Sequence, residues 1–305
     1  MKCFVTGVAG QLGHDVVNEL MKRGHDAVGS DLHEAYSGVQ DGTAVTTAPY
    51  VGLDITDEDA VKRVIRESGV DAVIHCAAWT AVDKAEECED LVRRINAGGT
   101  ESIAKVCREL DIPMMYFSTD YVFDGQGTRP WQPDDERHPL GAYGRTKAEG
   151  ELAVISNLEK FFILRIAWVF GVNGKNFIKT MLRLARTHDT LRVVNDQIGN
   201  PTYTLDLARL VVDMITTDKY GIYHVTNEGD PISWYDFACA IMEEGGVTGV
   251  TVNPCTSEEY GAQAVRPYNS RMDRSRLTER GFEPLPHWRD ALKRYVAVLK
   301  ETGEA

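Results

Sequence analysis

The sequence predicts an α/β protein built on a doubly wound parallel sheet. Apolar, strand-like runs alternate with amphipathic helical segments through the first half of the chain, and a glycine-rich turn follows the first run. The length of 305 residues suits one large domain or two smaller ones. Parallel strands joined by helices cross over with one handedness, so we expect helices on both faces of the sheet.

The predicted elements of the first half follow from apolar runs, helical periodicity and turn residues at their ends. In order they are a strand at 2–6, a helix at 10–23 ended by Gly24, a strand at 25–30, a helix at 57–68, a strand at 70–76, a helix at 96–110, a strand at 114–118, a helix at 142–156 and a strand at 161–169. The polar, aperiodic stretch 34–52 is expected to be a long surface loop, and Asp54 is expected to end a third strand.

The pattern loosens after Gly171. We predict helices at 176–187, 204–216, 234–244 (capped by Ser233) and 287–300, and a strand at 220–226. We therefore expect a Rossmann-type dinucleotide-binding core at 1–171. Residues 172–305 should form a smaller, mixed C-terminal substrate-binding lobe, with about 191–226 returning to the core.

Composition excludes several classes of protein. The chain is 43% hydrophobic and 26% charged, and its longest apolar runs, such as 161–167, are too short to cross a membrane. No charged and apolar leader precedes the first strand, so we expect a cytoplasmic protein without a membrane partner. Six scattered cysteines form no metal-binding or disulfide pattern, and a net charge of −13 disfavours nucleic acid as a partner.

The glycine-rich turn predicts a dinucleotide site. Gly7, Gly10 and Gly13 are spaced by two residues, with Gln11 and Leu12 between the last two. Such glycines allow a tight turn, a close approach of pyrophosphate and close packing of helix on strand, and the helix N-terminus attracts the phosphates. The alternative is a tight turn without a ligand.

Residues at later strand ends extend this site. Asp31 lies about 20 residues beyond the glycine turn, where a carboxylate accepts hydrogen bonds from ribose hydroxyls and repels a 2′-phosphate. NADH or NADPH is therefore the expected cofactor, and Asp31 favours NADH; a turn-capping role for Asp31 is the alternative. Asp54, with Ile55 after it, should face the adenine, and Ala77 and Ala78 have small side chains that suit a backbone beneath a nucleotide.

Tyr143 and Lys147 form a Tyr-x-x-x-Lys pair. In a helix these two side chains lie on one face, one turn apart. An ammonium beside a phenol favours phenolate and lowers the tyrosine pKa, which would make Tyr143 an acid/base able to work near neutral pH. The same spacing on a solvated helix face is the alternative.

Four segments together resemble one family. They are Gly-x-x-Gly-Gln-Leu-Gly from Gly7, Cys-Ala-Ala-Trp-Thr-Ala-Val-Asp-Lys-Ala-Glu from Cys76, Ser-Thr-Asp-Tyr-Val-Phe-Asp-Gly from Ser118 and Tyr-Gly-x-x-Lys from Tyr143. The chain resembles the extended short-chain dehydrogenases/reductases, and within them the reductases of dTDP-4-dehydrorhamnose. The resemblance covers nearly the whole chain and is weakest at 34–52 and after Gly245.

The resemblance implies a catalytic trio and a reaction. Thr119, Tyr143 and Lys147 would reduce the C4 ketone of a nucleotide-linked 4-keto-6-deoxyhexose. Tyr143 would deliver a proton to the carbonyl oxygen, Thr119 would donate a second hydrogen bond, and Lys147 would hold the nicotinamide ribose and lower the Tyr143 pKa. Ser118 is the alternative to Thr119.

The resemblance also implies residues that bind the nucleotide-sugar substrate. Tyr121 should face the sugar by strand alternation, and Trp168 should pack an apolar face against the deoxy carbon, unless it is a core residue. The loop carrying Asn200 and Thr202 should close over the sugar nucleotide, with a plain turn as the alternative. Arg266 suits a diphosphate but could be a surface charge.

Departures from the family pattern qualify this picture. His75 and Trp79 flank the Cys-Ala-Ala segment where Asn and Tyr are more usual, and Trp79 should reach the nicotinamide side of the site. Asp15 falls near a position where some members hold magnesium, but no full ligand set can be assembled, so we expect no required metal. A homodimer is a possible assembly.

Two other functions stay open at this point. One is a reductase of another nucleotide-linked 4-keto-deoxysugar, for example one linked to UDP. The other is a noncatalytic regulatory subunit that keeps the dinucleotide pocket.

Overall fold

A computed structural model describes residues 1–304. The strands are β1 (Lys2–Thr6), β2 (Asp26–Asp31), β3 (Tyr50–Gly52), β4 (Ala72–His75), β5 (Met114–Thr119), β6 (Phe161–Ile166), β7 (Val169–Phe170), β8 (Thr190–Val194), β9 (Ile198–Gly199), β10 (Thr202–Tyr203), β11 (Gly221–His224), β12 (Ile232–Ser233), β13 (Thr251–Cys255) and β14 (Asn269–Ser270). The helices are α1 (Gln11–Lys22), α2 (Glu58–Ser68), α3 (Val82–Ala85), α4 (Glu89–Arg93), α5 (Thr100–Leu110), α6 (Ala142–Asn157), α7 (Phe177–Ala185), α8 (Thr204–Ile215), α9 (Trp234–Gly245), α10 (Ser257–Tyr260), α11 (Ser275–Glu279) and α12 (Trp288–Glu301).

The main sheet has seven strands in the order β11-β6-β5-β4-β1-β2-β3, and all its pairs are parallel. The order reverses direction at β1, which is the switch point of a doubly wound sheet, where ligands bind beyond the carboxyl ends of the strands. The predicted fold class is therefore confirmed.

Alternating side chains of each strand enter two different cores. Val5 packs with helices α1 and α8 on one face of the sheet, whereas its neighbour Phe4 packs with α2 and α5 on the other. Both faces are covered, which explains why the strands read as continuous apolar runs. A third core joins α7, α9 and α12 around Phe237 and Tyr295.

The chain after Gly171 contributes to both regions. Strand β11 pairs with β6 at the edge of the main sheet, and α8 packs on α1. Short strands form small separate sheets, such as β8 with β13 and β9 with both β12 and β14. The domain boundary at 171 stays a prediction.

Two predicted boundaries are wrong. The strand at 161–169 is broken: β6 ends at Ile166 in the main sheet, and β7 pairs with β10 elsewhere. Trp168 between them has a positive φ of 50°, which a side chain adopts only when its surroundings hold it. The stretch 34–52 is not all loop, because β3 lies within it and Val45 is buried against α1.

The start of the helix predicted at 96–110 and the position of Asp54 also differ from expectation. The predicted helix at 96–110 starts earlier, since α4 runs through a π-helical turn at residues 94–99 into α5. Asp54 lies two residues beyond β3 and is held in a turn, where its side chain accepts hydrogen bonds from the amide and hydroxyl of Thr56. Its expected place as the last residue of a strand is therefore wrong.

Candidate active site

A cleft of about 990 Å³ opens at the carboxyl ends of the central strands. Most of the predicted site residues line it, from the glycine turn to the predicted catalytic trio. They are Gly7, Gly10, Gln11, Leu12, Gly13, Asp31, Asp54, Ile55, Ala77, Ala78, Trp79, Thr119, Tyr121, Tyr143, Lys147 and Trp168. The fold thus brings together residues that are up to 161 positions apart in the sequence.

Backbone geometry requires glycine at two positions of the turn. Gly7 has φ +70°, and a Cβ there would lie 2.6 Å from the amide nitrogen of Ala77. A Cβ on Gly13 would lie 2.3 Å from the carbonyl oxygen of Gly7. At Gly10 the nearest atom would be 3.2 Å away, so the protein itself nearly tolerates a methyl group there. Gly10 instead leaves open the space that a pyrophosphate would fill.

The end of β2 presents polar groups to the same turn. Asp31 accepts hydrogen bonds from the amides of Ala9 at 3.0 Å and Leu32 at 2.8 Å, which fix its carboxylate beside the turn. The buried hydroxyl oxygen of Ser30 lines the cleft and has no partner among the described residues. The open glycine turn, the fixed carboxylate of Asp31 and the hydroxyl of Ser30 together suit the binding of a dinucleotide.

Helix α6 positions Tyr143 and Lys147. It begins after Gly141, and the Ala142 amide donates a 2.8 Å hydrogen bond to Oε1 of Glu86. A Cβ on Gly144 would lie 2.2 Å from the carbonyl oxygen of Tyr121, so glycine lets the helix pack directly on the segment that follows β5. The ring of Tyr143 consequently meets the ring of Tyr121 edge-on, with centroids 5.5 Å apart.

Thr119 ends β5 at the base of the cleft. Its hydroxyl donates a 2.9 Å hydrogen bond to Oδ1 of Asp120 and accepts one of 3.2 Å from the Tyr121 amide. The other oxygen of Asp120 accepts a hydrogen bond from the hydroxyl of Ser270 on β14. Asp120 is buried, and it links the end of β5 to β14 in the C-terminal part of the chain.

Burial dominates the electrostatics of the trio. Burial and the nearby Asp120 raise the pKa of Tyr143 well above its usual value, and the Thr119 hydroxyl opposes this rise. Burial lowers the pKa of Lys147 to about 7, although Glu151 and Cys76 favour the charged form. The expected lowering of the Tyr143 pKa by Lys147 is therefore wrong for the protein alone: the pKa is raised, and Thr119 is the group that acts against the rise.

His75 is a fixed neutral group beneath this site. Thr100 donates its hydroxyl proton to the carbonyl of Asn96 at 2.7 Å, so it accepts from Nε2–H of His75 at 3.1 Å. Nδ1 then accepts from the hydroxyl of Thr6 at 2.8 Å, and Thr6 in turn accepts from the Ala77 amide. Burial, with the Lys147 charge nearby, lowers the pKa of His75 to about 3, so the ring stays neutral.

Trp79 and Trp168 lie at the walls of the cleft. The Trp79 amide donates to the side chain of Asn96 at 2.8 Å, which anchors this part of the wall. Trp168 stacks on Trp234 at 3.8 Å with an angle of 17° between the rings. One face of Trp168 is thus already covered, and only the rest of the ring is available to a sugar.

Three predicted substrate residues do not line the cleft. Asn200 donates its amide to the carbonyl of Gly229 at 3.0 Å, and Thr202 donates its hydroxyl to the carbonyl of Ala167 at 2.6 Å. Both are buried and support the backbone, so the structure does not support a contact with substrate. Arg266 forms a two-point ion pair with Asp83, at 2.7 and 3.1 Å.

Sequence reasoning missed several cleft residues. Phe177, Trp234 and Phe237 line the cleft as an aromatic group around Trp168, and Lys175 lies at the rim. Aromatic residues directly after the polar helix caps Asn176 and Ser233 are the signal that could have found the first two. The described residues contain no group of three or more side chains able to hold a metal ion.

The fold and the cleft define a nicotinamide dinucleotide-dependent oxidoreductase of the short-chain dehydrogenase/reductase class. A family model described as the RmlD substrate binding domain matches residues 1–301, and the chain belongs to that family. A dTDP-4-dehydrorhamnose reductase of Streptomyces griseus is 40% identical over 302 residues, which cover 97% of this chain and 93% of that protein.

Solved structures agree with this assignment. The dTDP-4-dehydrorhamnose reductase of Clostridium acetobutylicum is 40% identical with a TM-score of 0.89, and the match covers 98% of this chain and 100% of that one. The Bacillus anthracis dTDP-4-dehydrorhamnose reductase, solved in complex with NADP, is 35% identical with a TM-score of 0.88 and coverage of 97% and 99%. The resemblance that the sequence motifs predicted is confirmed.

Proposed function

We propose that this protein reduces the C4 ketone of dTDP-4-dehydro-L-rhamnose to the alcohol of dTDP-L-rhamnose. The observation that carries the proposal is the convergence of Thr119, Tyr143 and Lys147 on one cleft beside the glycine turn. Relatives that match nearly the whole chain are named as reductases of this sugar nucleotide.

The dinucleotide would be held by the glycine turn, Asp31 and Lys147, and when bound it supplies the hydride that reduces the carbonyl carbon. Tyr143 donates its phenolic proton to the carbonyl oxygen as negative charge develops there. Thr119 lies next to Tyr143 and donates a second hydrogen bond to the same oxygen. Lys147, when protonated, stabilises the phenolate that Tyr143 becomes after it gives up its proton.

Binding of the substrate relies on the walls of the cleft. Tyr121 and the free part of Trp168 pack against the sugar, and Trp79 closes the nicotinamide side. The guanidinium of Arg266 is paired with Asp83. Its positive charge still acts on Tyr121, where it opposes the rise in pKa that burial causes. Arg266 therefore orders the wall of the cleft rather than acting as a free cation for the diphosphate.

NADH is the favoured cofactor under this proposal. The carboxylate of Asp31 is fixed by two backbone amides where the adenosine ribose would lie, and a fixed negative charge there opposes a 2′-phosphate. The Bacillus anthracis relative binds NADP, so the preference is a property to be measured for this chain.

We further propose a cytoplasmic enzyme that acts on a free sugar nucleotide and assembles as a homodimer. No helix among residues 1–304 is long and apolar enough to cross a membrane. Light scattering of the purified protein measures the assembly, and a single-chain mass would contradict the dimer.

The test is oxidation of reduced nicotinamide by the purified protein with dTDP-4-dehydrorhamnose. We expect turnover, and we expect Tyr143→Phe to lower kcat by about 10³-fold because it removes the proton donor while keeping the ring. Dinucleotide binding by Tyr143→Phe should stay within about threefold of the wild type.

Other outcomes would redirect the assignment. Turnover only with a UDP-linked 4-ketosugar contradicts the proposed nucleotide and keeps the reductase chemistry. Dinucleotide binding without turnover on either substrate contradicts the enzyme and favours a regulatory subunit.

A further inference from the structure

Lys147 lies on an aromatic ring. Its ammonium nitrogen is 4.1 Å from the centroid of the Tyr116 ring, and Tyr116 is fully buried on β5. The Tyr116 hydroxyl donates a 3.2 Å hydrogen bond to the backbone carbonyl of the same lysine. One side chain therefore contacts both the charged end and the backbone of Lys147.

Helix α6 is built to admit this contact. A Cβ on Gly150 would lie 2.3 Å from the hydroxyl oxygen of Tyr116 and 2.8 Å from the carbonyl of Asn96. Glycine at this position, three residues after Lys147, allows α6 to pack closely against the Tyr116 side chain. The close packing of α6 on β5 thus depends on Tyr116 from one side and Gly150 from the other.

The neutral ring of His75 packs against Tyr116. The imidazole of His75 stacks on Tyr116 with centroids 5.9 Å apart and an angle of 28°. Hydrogen bonds to Thr6 and Thr100 account for both ring nitrogens of the neutral tautomer. Tyr116 thus contacts the ammonium of Lys147 and the neutral imidazole of His75, which adds no second positive charge beside the lysine.

The charged neighbours do not replace the ring. Glu151, one turn along α6, is fully buried and forms ion pairs with Arg165 at 2.8 Å and Arg137 at 3.0 Å. Burial would raise the pKa of Glu151, but its arginine partners hold it below the usual value. Among residues 1–304 no carboxylate lies within ion-pair distance of Lys147, while Cys76 and Tyr143 are neutral groups nearby.

We propose that Tyr116 is a positioning residue for Lys147, holding the ammonium on its ring face and the helix backbone with its hydroxyl. The negative face of an aromatic ring attracts a cation, and it does so more strongly where water is excluded. Without the ring, the carboxylate of Glu151, which is already paired with two arginines, would be the remaining group that favours the charged form of Lys147. What Lys147 does when it is held there rests on the proposed function.

The direct measurement is the ionisation of Lys147 in the ligand-free protein. Carbon NMR of protein containing lysine labelled at Cε, assigned by the signal missing in Lys147→Met, follows this single group with pH. In the wild type, burial places the pKa of Lys147 at about 7. We expect Tyr116→Leu to lower this midpoint by roughly one pH unit and Tyr116→Phe to leave it nearly unchanged.

Two controls separate positioning from general damage. Tyr223→Leu removes another buried tyrosine from the same sheet, at β11, and should destabilise the protein without moving the Lys147 midpoint. Affinity for dinucleotide at about pH 8 should fall several-fold in Tyr116→Leu and much less in Tyr116→Phe, because fewer molecules then carry the ammonium.

An unchanged Lys147 midpoint in Tyr116→Leu would overturn the proposal, as would equal shifts in the Leu and Phe variants. The NMR titration requires no substrate and no turnover. A failure of the proposed reductase activity would therefore leave this result intact, and the two failures are distinguishable.

Discussion

The hydroxyl of Thr119 donates its proton to Oδ1 of Asp120 across 2.9 Å. The carbonyl oxygen of a substrate would need that same proton if Thr119 is its second hydrogen-bond donor. A carboxylate is a strong acceptor, so an ionised Asp120 competes with the substrate, whereas a protonated Asp120 competes weakly. Thr119 is thus available to the substrate to the extent that Asp120 is neutral.

We predict a pH dependence from this competition. Burial raises the pKa of Asp120 to about 6, against hydrogen bonds from Ser270 and Thr119. The wild-type kcat should therefore fall by about threefold to tenfold as the pH rises through this value, while Asp120→Asn should show no such fall because its amide never ionises. Steady-state pH profiles of the two proteins check this, and an equal decline in both would contradict it.

Gly144 sets the distance between α6 and the segment after β5. Gly144→Ala places a methyl group against the Tyr121 carbonyl, so the helix must move and carry Tyr143 with it. We expect a loss of about 1–3 kcal/mol in the free energy of unfolding and at least a tenfold lower kcat. Gly98→Ala is the matched control, since the nearest atom to a Cβ there lies 4.0 Å away. Denaturant titration and steady-state kinetics measure both variants. Similar effects in the two variants would contradict the packing argument.

Asp31 should decide the preference between dinucleotides. Asp31→Ser removes the fixed negative charge while keeping a polar side chain near the Ala9 amide. The ratio of kcat/KM for NADPH to that for NADH should rise by about tenfold to a hundredfold. A ratio that stays at the wild-type value would mean that other groups choose the cofactor.

Asp15 should make stability depend on pH. It is buried beneath α8, where burial raises its pKa to about 7 while the Thr204 hydroxyl donates a hydrogen bond that opposes the rise. A raised folded-state pKa stabilises the fold at low pH, and this contribution is lost as the pH rises through about 7. Between about pH 4 and 7 the wild type should lose up to roughly 4 kcal/mol relative to Asp15→Asn. Urea titrations across this range test the sign, and parallel curves would contradict it.

The sheet and the position of Tyr143 and Lys147 in the cleft were predictable because their signals are local. The glycine turn after β1, the spacing of Tyr143 and Lys147 and the apolar strands each depend on a few neighbouring residues. The break at Trp168 was not, because its positive φ accompanies a hydrogen bond that its carbonyl accepts from the distant Thr202 amide.

Side chains with two possible partners also escaped prediction. The hydroxyl of Thr202 and the amide of Asn200 could serve a ligand or the backbone, and packing directs both to the backbone. Tyr116 was missed for a similar reason. In the sequence it is one of several apolar residues of a strand, and its contact with Lys147 depends on how α6 packs against β5. Local sequence shows which groups are present, and tertiary packing decides which of them face the cleft.

The stacked indoles of Trp168 and Trp234 give the cleft an optical signature. Two parallel chromophores 3.8 Å apart are electronically coupled, so their near-ultraviolet circular dichroism depends on their mutual angle. Both rings line the cleft. The whole chain contains only five tryptophans, so the other three should contribute little to the circular dichroism signal of this pair. We therefore expect a ligand that changes the angle between these rings to be detectable by circular dichroism, with variants that do not turn over and with ligands that do not react.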